Sequence, residues 1–129
     1  MFADRIEGKW IDMFCAVFGH CKLERGDTAA ILSETQSRDL NVHLAELALH
    51  RLGVNAFHIK LVSPAQSAPV AVRSTGASDA VQGLEPVIAA LGAATIVIDC
   101  TVEGLLHAPE LPHILKGGAR LLMVSNEHP

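Results

Sequence analysis

Apolar positions along the chain follow two spacings, one typical of helices and one typical of buried strands. In residues 3–21 the apolar side chains recur every three or four positions, which predicts an amphipathic helix with a broad apolar face. Residues 28–33 are apolar without alternation, as in a strand that is buried on both faces. A second helix is predicted from an N-cap at Ser37 to about Leu52, and Gly53 follows where a helix-ending glycine belongs.

The middle of the chain continues the alternation of helices and strands. Residues 56–62 alternate apolar and polar side chains, which predicts a strand near a sheet edge with one exposed face. Residues 63–78 are rich in Ser, Ala, Pro and Gly and are interpreted as a long connection over the sheet. A third helix ends near Leu91, with Leu84 among its inner residues and Pro86 in its first turn.

Two further buried strands are predicted at residues 95–100 and 120–125. The short helix between them is expected to begin at Pro109 and to close at Gly117 and Gly118. Helices between buried strands require right-handed crossovers and parallel strands. The order α-β-α-β-α-β-α-β therefore predicts an α/β fold, a three-layer Rossmann-like domain with a mainly parallel sheet of about four strands and helices on both faces.

Length and composition narrow the class of protein. The 129 residues fit a single domain, residues 1–129, and half of them are hydrophobic, which argues against disorder. The net charge of −4 without a basic stripe disfavours nucleic acid, and no apolar run is long enough to span a membrane. Three cysteines without a CxxC motif suit a cytoplasmic location. Because the chain ends just after its last strand, we expect it to be the amino-terminal part of a longer two-domain protein.

His107 is the leading candidate for chemistry. It lies in the loop that leaves the carboxyl end of the strand at 95–100, and open α/β sheets bind ligands at that edge. An imidazole can take up or release a proton near neutral pH. The alternative is a histidine that only caps the following helix or faces solvent.

Other polar residues point less clearly to chemistry. Glu34 follows the first strand at the same sheet edge, and Asp99 lies within a buried strand, where we interpret it as making a structural hydrogen bond to a neighbouring loop. His43, Glu46 and His50 share one face of the second helix. The two histidines are about 10 Å apart along the helix axis, too far for one metal ion. Glycine-rich nucleotide motifs are absent from the sequence.

Three segments, 98–101 (IDCT), 105–110 (LLHAPE) and 114–120 (ILKGGAR), resemble the 2,5-dihydroxypyridine 5,6-dioxygenase family. That family opens a pyridine ring and shares its fold with the thermophilic-type metallo-aminopeptidases, aminopeptidases T and S. The resemblance is sharpest over residues 95–124 and poor over 63–78, so the role of that connection is left open.

This resemblance implies a function in which one domain binds a metal and the other contacts the substrate. It implies that Fe(II) or another divalent metal is held by a carboxyl-terminal domain outside this sequence, so no metal ligand is assigned here. It also implies that Leu106 and His107 contact a small aromatic substrate, with His107 as an acid/base or substrate-orienting group. The expected function is the amino-terminal domain of an Fe(II)-dependent ring-cleaving dioxygenase acting on a dihydroxypyridine-like aromatic. These 129 residues alone are expected to be catalytically inactive.

Two alternatives stay open from the sequence. One is the amino-terminal domain of a metallo-aminopeptidase of the leucyl aminopeptidase kind, which the shared fold allows. The other is a non-catalytic docking or oligomerisation domain, which the broad apolar face of the first helix allows. A homo-oligomer is expected for the dioxygenase as well as for these alternatives.

Overall fold

The computed structural model of the protein describes residues 8–63 and 78–124. Helices and strands alternate along these residues in the predicted order. The elements are α1 (Gly8–His20), β1 (Thr28–Glu34), α2 (Asp39–Arg51), β2 (Asn55–Leu61), α3 (Glu85–Ala93), β3 (Ile96–Asp99), α4 (Leu111–Lys116) and β4 (Arg120–Met123). Residues 3–7 of the first predicted helix, most of the 63–78 connection and residue 125 of the last predicted strand lie outside the described residues.

The four strands form one parallel sheet in the order β2-β1-β3-β4. β1 and β3 are central, and β2 and β4 lie at the edges. From β1 the chain adds β2 on one side and then returns to add β3 on the other. The carboxyl ends of β1 and β3 therefore form the switch point of the sheet, the place where open α/β folds bind ligands. We call this place the switch edge.

Hydrophobic clusters on the two faces of the sheet confirm the three-layer architecture. On one face, Phe14 and Phe18 of α1 and the buried side of α2 pack against Ile31 and Ile98. On the other face, residues of α3 and α4 pack against a second set of strand side chains that includes Leu32. Residues 29–32 of β1 and 96–98 of β3 thus point alternately into one core and the other, which explains why these segments are apolar without alternation.

The edge strand β2 is mostly exposed, as its alternating sequence predicts. Helix α2 ends where predicted, because Gly53 follows its C-cap with a positive φ of 74° that favours glycine. Among the described residues, every helix is too short or too polar to cross a lipid bilayer.

Three local predictions were wrong. Ser37 is not the N-cap of α2, which has Arg38 there, because the Ser37 hydroxyl bonds across the sheet instead. Pro109 does not open α4: the helix begins at Leu111, after a turn in which the Leu111 amide donates to the carbonyl of Ala108 at 3.1 Å. Leu84 does not face inward, because it is the N-cap of α3 and remains 39% exposed.

Candidate functional site

Two buried carboxyl groups end the central strands at the switch edge. Glu34 is the last residue of β1 and Asp99 is the last residue of β3. Their exposed fractions are 3% and 0%. A carboxyl group in such a place requires hydrogen-bond donors, and the loop after β3 supplies them. We call residues 100–110 the β3–α4 loop.

Asp99 accepts three hydrogen bonds from its own loop. Its Oδ1 accepts from the Thr101 amide at 3.0 Å and from the Thr101 hydroxyl at 2.6 Å. Its Oδ2 accepts from the Leu105 amide at 2.7 Å. Burial raises the pKa of the Asp99 carboxyl, and these hydrogen bonds act in the opposite direction. The predicted structural hydrogen bond of Asp99 is thus confirmed.

Glu34 reaches the same loop from the neighbouring strand. Its Oε1 accepts a hydrogen bond from the Val102 amide at 2.6 Å. Its Oε2 is buried and accepts no hydrogen bond of normal geometry from the described residues. Burial raises the pKa of Glu34; the Val102 amide and the nearby Ser63 hydroxyl lower it, and the negative charges of Asp99 and Glu103 raise it further. Burial is the largest of these effects, so the net direction is upward.

The two residues predicted to contact substrate lie at the tip of a tight turn. The Ala108 amide donates to the Leu105 carbonyl at 3.0 Å, which closes a four-residue turn over residues 105–108. Leu105 and Ala108 are buried, with exposed fractions of 0% and 3%, whereas Leu106 is 55% exposed and His107 is also exposed. We call residues 105–108 the His107 turn. Its buried ends fix the backbone, and its two central side chains project from the surface.

His43 of α2 belongs to a separate surface group. Glu46 contacts His58 of β2, with 2.9 Å between Oε1 and Nε2, and His43 Nδ1 lies 4.0 Å from Glu46 Oε2. In residues 8–63 and 78–124 no three His, Cys, Asp or Glu side chains are grouped so that they could hold a metal ion. The side chains of these two described ranges do not fit an iron site, and no chemical step through a metal is assigned to them.

The sequence did not identify the hydrogen bonds that connect the β3–α4 loop to the end of β1 and the residues just after it. The Ser37 hydroxyl accepts from the Glu34 amide at 2.8 Å and donates to the Cys100 carbonyl at 2.6 Å. Together with the bond between Glu34 and Val102, it joins the ends of the two central strands. The only sequence signal for these roles was the clustering of polar residues just after β1.

A family model described as 2,5-dihydroxypyridine 5,6-dioxygenase matches residues 9–129. Among solved structures, that of a 2,5-dihydroxypyridine dioxygenase from Pseudomonas putida KT2440 is similar, with a TM-score of 0.78 and 26% sequence identity. The similarity covers 95% of this chain and 35% of that chain, so the present sequence spans about a third of that structure. The comparison with curated proteins gives no match.

Proposed function

Because the chain belongs to the 2,5-dihydroxypyridine 5,6-dioxygenase family, we propose that it is part of an Fe(II)-dependent enzyme that opens the ring of a dihydroxypyridine-like aromatic substrate. The family match over residues 9–129 and the similar structure from Pseudomonas putida support this proposal. They confirm the resemblance that the LLHAPE segment indicates. The kinship with metallo-aminopeptidases stays a prediction.

In this proposal the chain is the amino-terminal domain of a two-domain enzyme. The similar structure is almost three times as long as the matched region, which covers 35% of it. The described residues hold no group of metal ligands. As the family resemblance implies, the iron would be bound by residues outside this chain, and the chain would contribute groups that contact the substrate.

The observation that carries the proposal is the geometry of the His107 turn. Its buried ends hold Leu106 and His107 at an exposed position in the loop that follows the carboxyl end of β3. In the proposed reaction the O–H bond of a ring hydroxyl breaks, its electron pair stays on the oxygen, and the proton moves to the unprotonated nitrogen of His107. Leu106 would pack against the apolar face of the ring. The two side chains would thus orient the substrate and accept its proton.

The test compares variants of the complete protein supplied with Fe(II) and 2,5-dihydroxypyridine, followed by dioxygen uptake and loss of the ring absorbance. His107→Ala should lower kcat by about 100-fold or more, the usual contribution of a general acid or base. His107→Gln keeps a hydrogen-bonding group but cannot take up the proton, so it separates proton transfer from orientation. His113→Ala is the matched control, because His113 is an exposed histidine six residues further along.

Three outcomes would contradict the proposal. Unchanged turnover in His107→Ala would remove this residue from the mechanism. Failure of the unaltered protein to open the ring would refute the dioxygenase function. Release of amino acids from a leucyl peptide without dioxygen uptake would favour the aminopeptidase alternative.

The docking alternative depends on the outer face of α1. Met13 and Val17 are 46% and 42% exposed, and with Met123 they line an apolar groove beside the end of β4. A contact between subunits through this groove stays a prediction. The mass of the protein in solution, before and after Val17→Glu, checks it, because a buried charge would separate the subunits.

A further inference from the structure

The β3–α4 loop is held by hydrogen bonds of two kinds. Within the loop, Asp99 accepts from Thr101 and Leu105, and the Thr101 hydroxyl accepts from the Gly104 amide at 3.1 Å. These bonds span two to six residues and fold the loop onto the end of its own strand. They would persist wherever the neighbouring strand stood, so they do not fix the loop relative to the rest of the switch edge.

The bonds of the second kind come from other parts of the chain. Glu34 binds the Val102 amide from β1 across 68 residues of sequence, and the Ser37 hydroxyl binds the Cys100 carbonyl. On another side of the loop, the Ser78 amide donates to the Gly104 carbonyl at 2.8 Å. Among these bonds, that of Glu34 joins a buried side-chain carboxyl group of β1 to a buried backbone amide of the loop.

We infer that Glu34 is a positioning residue for the His107 turn: by holding the Val102 amide, it fixes the loop that carries His107 against the carboxyl end of β1. Val102 stands only three residues before Leu105, where the turn begins. So short a segment leaves little freedom, since each residue spans at most about 3.5 Å. A displacement at Val102 therefore moves the turn.

This inference rests on the proposed function for its effect on catalysis. If His107 accepts a proton from the substrate, its nitrogen must stand within hydrogen-bond distance of the ring hydroxyl. A shift of about 1 Å at a reacting group can lower a rate by about 100-fold. Glu34 would affect the reaction through this placement, without touching the substrate.

Hydrogen exchange in the complete protein tests the structural part of the inference. Glu34→Ala removes the acceptor of the Val102 amide, and we expect that amide to exchange on the order of tenfold faster. The Leu105 amide, which Asp99 holds within the loop, should change little. Glu34→Gln keeps an acceptor oxygen at the same place and should exchange nearly as the unaltered protein does. Thr35→Val is the matched control, because Thr35 is the next residue in the chain and its hydroxyl accepts from the Ser63 amide, just after β2 and outside the β3–α4 loop.

Two results of the exchange experiment would overturn the inference. One is unchanged exchange at Val102 in Glu34→Ala. The other is equal acceleration at Ile31 in the centre of β1, because that would show a general loss of stability rather than a local release of the loop.

Turnover of 2,5-dihydroxypyridine tests the functional part. Glu34→Ala should lower kcat about tenfold with little change in KM, and Glu34→Gln should restore most of the loss. If Glu34 acts through His107, the double variant Glu34→Ala/His107→Ala should be no slower than His107→Ala. Losses that multiply would overturn the positioning role. If the unaltered protein opens no ring, the proposed function fails, while the exchange experiment still decides whether Glu34 holds the loop.

Discussion

Replacing Asp99 by alanine tests whether a buried carboxyl group holds the loop after β3. The change leaves the amides of Thr101 and Leu105 without their acceptor, at residues that are only 1% and 0% exposed. An unsatisfied buried N–H costs about 1–3 kcal/mol, so the two together cost about 2–6 kcal/mol. Part of this loss is offset, because the variant no longer buries a carboxyl group. Burial of that group opposes folding in the unaltered protein, as the raised pKa of Asp99 indicates. We therefore expect a net loss of about 2–4 kcal/mol in the free energy of unfolding.

Urea unfolding measures this loss. The single tryptophan, Trp10, packs against the core on the α1 side, so its emission follows unfolding. Asp99→Asn should be intermediate, because the amide oxygen can accept one N–H group while its nitrogen cannot accept the other. Asp27→Ala is the control: Asp27 accepts from the Glu24 amide at 2.8 Å in an exposed turn, where water replaces the lost acceptor. A loss in Asp99→Ala no larger than that in Asp27→Ala would refute the reasoning.

Three further predictions follow from packing and burial. A Cβ at Gly117 would lie 2.7 Å from the Gly92 carbonyl oxygen, so Gly117→Ala should push α4 from α3 and lower the free energy of unfolding by about 1–3 kcal/mol. Gly19→Ala in α1, whose Cβ would meet no atom within 4 Å, should instead raise it by up to about 1 kcal/mol, and equal urea midpoints would contradict this account. Burial raises the pKa of the Cys100 thiol to about 12, so iodoacetamide should label Cys100 only after unfolding, and rapid labelling of the native chain, detected by mass spectrometry, would be the contrary result. Burial also raises the pKa of Glu34 above its ordinary value of 4.5, so the stability it contributes is present below that pH and is lost as the pH rises through the folded pKa. The free-energy advantage of the unaltered chain over Glu34→Gln should accordingly shrink from pH 4.5 upward, and an advantage that grows with pH would contradict the sign.

Much of the fold could be predicted because burial on two faces leaves a distinct pattern. Residues 29–32 of β1 and 96–98 of β3 are apolar without alternation since each of these side chains meets one core or the other. Helices between such strands require parallel pairing. Helix starts were less predictable, because a side chain that is able to cap a helix can form a different hydrogen bond instead. The hydroxyl of Ser37 could cap α2, but it bonds to the Cys100 carbonyl, 63 residues away, and that partner is visible only in the folded chain.

In the candidate site, too, bonds to residues nearby in sequence could be predicted and bonds to distant residues could not. Asp99 bonds to residues two and six positions ahead, so its structural role could be inferred from a strand end followed by a tight loop. Glu34 bonds to Val102 only because β3 lies beside β1, and four parallel strands can be ordered in several ways. The two carboxyl groups should therefore fail differently. Loss of Asp99 unfolds the loop itself. Loss of Glu34 leaves the loop folded and still bonded near Cys100, but releases it from β1 at Val102, which is the condition in which placement of His107 can be separated from stability.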